Sequence, residues 1–257
     1  METQTSTSAR SLGPDDLRSG PVPHMSAWEA FKFGFKGPGP VGLLLGLVMF
    51  LIPILGMIVF NGWLAETNRR LVKGEHPSVQ PFNFDNLGEY LKSGLVVFIP
   101  QLVVGFALGA VFMVFFFGTS ILGALVAGVA ESPALSGIFS LLSMLIMMVA
   151  SFASTAFIHA VQIRAELTGD LKAAFEFQPI IAFVKRNLGP MLVHSLLLGL
   201  LLIPAMIAGM LAFFIGIYVV VAAAQFMFAH LRAQLYIHDI AAGGEELPIF
   251  DGPGANI

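Results

Sequence analysis

The stretch GDLKAAFEFQPIIAFVKRNLGP, residues 169–190, decides the fold, because it is the only well-charged island in the second half of an otherwise apolar chain. It carries an F-x-F pair (Phe175, Phe177), then a short amphipathic helix pattern, then Lys185 and Arg186 just before an apolar run. A partial twin, PFNFDNLGEYLKSG at residues 81–94, repeats that order with Phe82, Phe84 and Lys92. The runs that separate the islands are long enough to cross a bilayer, for which about 20 apolar residues suffice. Polar islands alternating with such runs predict an all-α, polytopic membrane bundle with short amphipathic interfacial helices.

Working outward, five hydrophobic segments lie at about 41–60, 94–118, 135–161, 190–209 and 213–233, with amphipathic pieces at 26–36, 82–93 and 170–188. Residues 119–134 carry one charge, Glu131, and read as a weakly polar hairpin connection. The uncharged stretch from 191 to about 229 is twice the length of one span, so a tight turn is expected near 208–214, among the breakers Pro204, Gly209 and Gly216. Residues 1–25 are polar and rich in Ser, Pro and Gly, which predicts a disordered tail. Residues 239–257 are expected to form a flexible, acidic C-terminal tail. The membrane domain is thus 26–238.

Composition agrees. Of 257 residues, 56% are hydrophobic and 11% charged, and the mean hydropathy is +0.84. A soluble domain carries about 25% charged residues, so this chain needs lipid as part of its solvent. A net charge of −3 gives no global field for nucleic acid. The absence of cysteine removes disulfides, thiolate catalysis and Cys-based metal sites.

The charges also orient the chain. All 13 basic residues fall in four places: the N-terminal region with Arg10, Arg18, Lys32 and Lys36, the 62–93 loop, the 161–189 loop, and the C-terminal exit. The positive-inside rule then puts both islands and the C-terminus in the cytoplasm of a bacterial inner membrane. If residues 41–60 cross once, the N-terminus lies outside with four basic residues. If they dip in and turn back at Ile52-Pro53, it lies inside with the rest. A third F-x-F, Phe31 and Phe33, precedes this segment and favours the re-entrant reading, as one plan used three times: polar lead-in, helix in, turn, helix out. Ser26 and Glu29 have capping-box spacing, and Trp28, Phe31 and Phe35 beside Lys32 and Lys36 suit either an interfacial helix or one packed on the protein.

Around these islands the sequence resembles the bacterial membrane proteins grouped as domain of unknown function 4013. The stretches that carry the resemblance are FKFGFKGPGPVGLLLGLVMFLIPILGMIVFNGWLAETNRRLVKG, FDNLGEYLKSGL, FEFQPIIAFVKRNLG and FAHLRAQLY, in that order over about residues 28–238. Where the family pattern has Leu-Pro-x-Trp before the first island, this chain has His76-Pro77-Ser78-Val79-Gln80-Pro81. The resemblance implies a fold and no activity.

Candidate chemistry is sparse. Arg69 and Arg70, where the first segment leaves the bilayer, and Lys185 and Arg186 on the second island are candidate contacts for lipid headgroups or a partner. Glu66 at i−3 and i−4 from the two arginines offers a plain helix-surface ion pair instead. His194 is a candidate intramembrane polar site, although its shallow depth suits a water-accessible or backbone-bonded ring. Gln101, Gln225 and Asn61 suit amide bonds across helices. His159 and Gln162 near Arg164 suit a solvated helix exit, and His230 and His238 beside Arg232 have no metal-ligand spacing. No catalytic, cofactor or metal constellation is expected, and so no enzyme. The expected role is a structural, accessory or partner- or lipid-binding component, with a membrane-protein partner or a second copy as company. The alternative is a small-molecule or lipid transporter, suggested by Pro53, Pro100 and Pro204 within three apolar runs.

Overall fold

The computed structural model describes residues 24–75, 79–130, 133–212 and 215–250. Among them the chain is helical, with no strand: α1 (Ala27–Lys36), α2 (Gly39–Leu51), α3 (Leu55–Val72), α4 (Leu87–Ala130), α5 (Pro133–Thr168), α6 (Phe177–Leu211) and α7 (Ile215–Ala241), plus two 3₁₀ turns at Phe84–Asn86 and Ala173–Phe175. Four of these helices, α4 to α7, are long and apolar enough to cross a membrane.

The first apolar run turns back on itself. A Cβ on Gly56 would meet the Met49 carbonyl oxygen at 1.9 Å, one on Gly46 would meet the Phe60 ring at 3.3 Å, and one on Gly42 the Trp63 ring at 3.4 Å. Numbers that fall along α2 therefore rise along α3, and the two helices are antiparallel. Ile52-Pro53-Ile54 makes the turn, because Pro53 cannot continue the ladder and Ile54 adopts φ 62°, unfavourable for a β-branched residue. The 13 residues of α2 rise about 20 Å, less than the hydrocarbon thickness of about 30 Å. The α2/α3 pair is an antiparallel hairpin, the shape that a re-entrant segment requires.

Helix α1 meets α2 at 86°, so it lies across the direction of entry, as an interfacial helix would. It is also packed. Ser26 caps it by accepting from Glu29 N–H at 3.2 Å, and Ala27, Ala30 and Gly34 form a face of small residues buried against α7, near Ala223 and Met227. The opposite face exposes Trp28, stacked on Phe31 at 5.6 Å. The packed reading of this segment therefore holds, and its outer face stays exposed.

Helix α4 runs antiparallel to α3 in backbone contact: a Cβ on Gly62 would fall 1.9 Å from the Tyr90 carbonyl oxygen, and one on Gly94 1.8 Å from that of Ile58. Helices α4 and α5 form the second hairpin, α6 and α7 the third, closed where Gly209 abuts Gly216. The returning helices are all followed by a glycine with positive φ, Gly74 at 69°, Gly169 at 61° and Gly243 at 85°, a conformation that glycine adopts at least cost.

Burial is the reverse of a soluble protein's. The side chains of α4 and α5 over about 102–126 and 137–149 are largely exposed, among them Phe106, Val114, Leu141 and Met144, all at 69% or more. These faces require lipid. The core sits at the other end, around Trp63, Tyr90, Phe226, Leu167 and Leu235.

Three expectations need correction. Residues 119–130 are not a connection: α4 continues to Ala130, because this stretch has no proline and its Thr119 and Ser120 hydroxyls bond back to the carbonyls of Phe115 and Phe116 at 2.7–3.0 Å. The pieces at 82–93 and 170–188 are not separate helices, since α4 and α6 run on from them into the apolar segments. Residues 239–257 are not loose throughout. The chain stays helical to Ala241, and Leu247 is then buried, its N–H donating to the Tyr236 hydroxyl at 2.9 Å. The expected N-terminal tail lies outside the described residues as far as 23, but Met25 is buried.

Candidate functional site: an ionic core at the polar end

The helix ends that carry the polar lead-ins converge, and their charged side chains turn inward. Glu166 on α5 and Arg232 on α7 are 2% and 3% exposed. Arg232 donates through Nη2 to Glu166 Oε1 at 2.6 Å and through Nε to Oε2 at 3.0 Å, a bidentate pair. Asn68 on α3 donates its Nδ2 to Glu166 as well, and Gln162 accepts from Arg232 Nη1 at 3.3 Å. Three hairpins thus meet at one carboxylate. A buried pair offsets its desolvation only when such further bonds are made.

Arg69 lies alongside. Its Nε donates to the Ala65 carbonyl and its Nη2 to Ser93 Oγ, each at 3.2 Å, and the Phe250 ring covers the guanidinium at 5.4 Å. Desolvation holds its pKa below the usual guanidinium value, against the opposing pull of Glu66 and Glu166. Arg164 is the second clasp. It donates to Glu176 at 2.5 Å, to Glu245 at 2.7 Å and to the Ala173 carbonyl at 3.0 Å, tying α5 to the third lead-in and to the C-terminal segment. Arg186 makes a fork on Asp239, both bonds 2.9 Å, and Asn187 adds a bond of 2.6 Å to the same carboxylate.

The structure therefore separates the predicted site residues. Arg69 is buried in the ionic core. Arg70 is taken by Glu66 at 2.9 Å, as the i,i+4 spacing suggests, and Arg186 is taken by Asp239. Lys185 alone of the four is exposed without an ion pair among the described residues. His194 serves the fold: its Nδ1 lies 2.9 Å from the Pro190 carbonyl oxygen and its Nε2 3.0 Å from that of Met25, fixing the start of the first lead-in to α6. His159 is buried and stacks on Phe228 at 5.4 Å, not on a solvated exit as expected. Among the described residues no group of His, Asp and Glu could hold a metal ion.

Sequence reasoning missed the Glu166–Arg232 pair, whose partners are 66 residues apart. A signal existed. His159, Gln162 and Glu166 fall at i, i+3 and i+7, and Gln225, Arg232 and Asp239 at intervals of seven. Each set is a polar stripe on one face of an otherwise apolar helix.

A scan of family models matches residues 45–221 to a protein family of unknown function, DUF4013. That interval holds the turn of the first hairpin and most of all three hairpins. The chain belongs to the DUF4013 family. The matched part of this DUF4013 protein stops short of Arg232, Asp239 and the C-terminal segment, so one side of each deep ion pair at α7 lies outside it. No curated protein and no solved structure matches the chain.

Proposed function

We propose that this DUF4013 protein is a structural or accessory component of the bacterial inner membrane, neither enzyme nor transporter, with its polar end in the cytoplasm. One observation carries the reading: the charged groups buried at the polar end, Glu166, Arg232, Arg164 and Asp239, are all bonded within the chain. Groups committed in this way hold hairpins together and leave little for a substrate. The side of the membrane rests on the basic residues, which cluster at that end. Aromatic rings left exposed there, Phe84 at 68% and Phe177 at 52%, suit contact with a partner protein.

A transporter would need helices broken around a polar site at mid-membrane. Helices α4 and α6 run unbroken through Pro100 and Pro204, and the break at residues 52–54 consists of the exposed Ile52, Pro53 and Ile54 and carries no polar side chain of its own. The test pairs two measurements on the full chain purified in mild detergent. Isolation with a stoichiometric membrane-protein partner, lost on combined Phe84→Ala and Phe177→Ala substitution, is the expected result. Solute flux into proteoliposomes above the protein-free rate would overturn the reading.

A further inference from the structure

The arginines and lysines at the polar end divide their work. All five described arginines, at positions 69, 70, 164, 186 and 232, bond within the chain. Lys172, which is exposed, lies before the 3₁₀ turn at Ala173–Phe175. Of the lysines on helices, Lys36, Lys92 and Lys185 are exposed and make no ion pair among the described residues. One of them sits in each lead-in, at the end of α1, near the start of α4 and near the start of α6. The last two occupy the same register, eight residues after Phe84 and Phe177.

Their depth follows from the chain. Lys36, Lys92 and Lys185 precede the strongly exposed apolar side chains Val41 (71%), Leu102 (45%) and Val193 (54%) by five, ten and eight residues. At about 1.5 Å per helical residue, a lysine there stands about 8–15 Å above the first lipid-facing side chain. That is the headgroup layer, which a flexible ammonium can reach. The bend of 86° before α2 keeps Lys36 in the same layer and not beyond it. Glu75 follows α3 and Asp85 sits in the 3₁₀ turn before α4, both beyond the helix ends, whereas Glu89 stands on α4 one turn before Lys92 without an ion pair to it. At this layer the three lysines make no ion pair among the described residues, which leaves each ammonium able to meet a phosphate.

We propose that Lys36, Lys92 and Lys185 form an anionic-phospholipid binding surface, one phosphate contact for each hairpin. Lysine suits this task as a mobile point charge, whereas the arginines, as planar forks, are held by acceptors within the chain. The inference rests on the reading that the lead-ins lie at a bilayer surface. It gives the family's three-hairpin plan a binding role that the ionic core does not supply.

The test reconstitutes the full chain in nanodiscs containing phosphatidylglycerol and phosphatidylcholine and measures which lipid the protein retains. Phosphatidylglycerol should be preferred, each lysine-to-glutamine substitution should lower the preference about fivefold, and K36Q/K92Q/K185Q should bring it to parity. Lys32→Gln should leave it unchanged, because Lys32 is already paired with Glu29 at 2.5 Å. Raising the salt concentration should weaken the preference. A triple variant that keeps the full preference, or a native chain with none, overturns the proposal. Displacement by millimolar glycerol phosphate would overturn it too, by pointing to a pocket for a soluble anion. Failure of the native chain to enter either nanodisc would instead remove the membrane reading on which the proposal rests.

Discussion

Arg232→Met should lower stability by about 3–5 kcal/mol, the cost of leaving a buried carboxylate without its partner. Glu166 is 2% exposed and takes both bonds of the guanidinium fork. With the fork gone, only the amide of Asn68 remains on it. The apparent unfolding midpoint in detergent, followed through the buried Trp63, should fall further than for any exposed charge on the surface. Glu66→Gln, which removes a half-exposed i,i+4 pair with Arg70, should cost less than about 1 kcal/mol. The double variant E166M/R232M is the informative control. Removing both charges together should restore most of the loss, because apolar replacement of a whole buried pair is often neutral or better. An unchanged midpoint in R232M would mean that the three hairpins are not held at this point.

Gly94→Val should abolish the folded state, and Gly62→Val should do the same. The first places a side chain where the Ile58 carbonyl oxygen lies 1.8 Å from the ideal Cβ, the second where that of Tyr90 lies 1.9 Å away. The obstacle is backbone on a facing helix, which cannot rotate aside as a side chain can. Relief requires α3 and α4 to move apart, losing the packing of Trp63, Tyr90 and Phe82 and exceeding the usual overpacking cost of about 1–3 kcal/mol. The yield of monodisperse protein after detergent extraction should fall to background. Gly105→Ala and Gly109→Ala are the comparison, since nothing lies within 4 Å of either Cβ position. Both should extract at native yield, with slightly higher helix stability, because alanine is favoured over glycine in a helix.

These glycines show where sequence reading stops. In the text of the chain Gly94 and Gly105 look alike, each small and set in an apolar run. Only the crossing of α3 and α4 distinguishes them, and that depends on contacts between residues about thirty positions apart. The local signals were reliable. The Ser26 cap, the break at Pro53 and the turn between α6 and α7 depend on backbone chemistry within a few residues, and all three appear. The spacing of F-x-F pairs and basic residues was enough for three hairpins entered from one side.

The errors are local in one case and tertiary in the others. Thr119 and Ser120 were expected to mark a loop, but in an apolar helix their hydroxyls are satisfied by carbonyls one turn back. The acidic C-terminal segment was expected to stay in solvent, but Glu245 meets Arg164, and Phe250 covers Arg69 and abuts Gly169. Of the arginines expected at the lipid surface, Arg69 is buried against Ser93 and Phe250, and Arg186 is held by Asp239 on α7. The last two depend on tertiary partners that composition and periodicity do not reveal.

The central claim is that the first apolar run turns back, leaving all three lead-ins and the C-terminal segment on one side. The chain has no cysteine, so single cysteines report position without background. Variants K36C, K92C, K185C, A242C and G128C would be treated, in sealed membrane vesicles of known orientation, with a membrane-impermeant thiol reagent. The account predicts that positions 36, 92, 185 and 242 react from the same side, and that position 128, near the end of α4, reacts only from the other. Labelling of position 36 from the side opposite to 92 and 185 would contradict it.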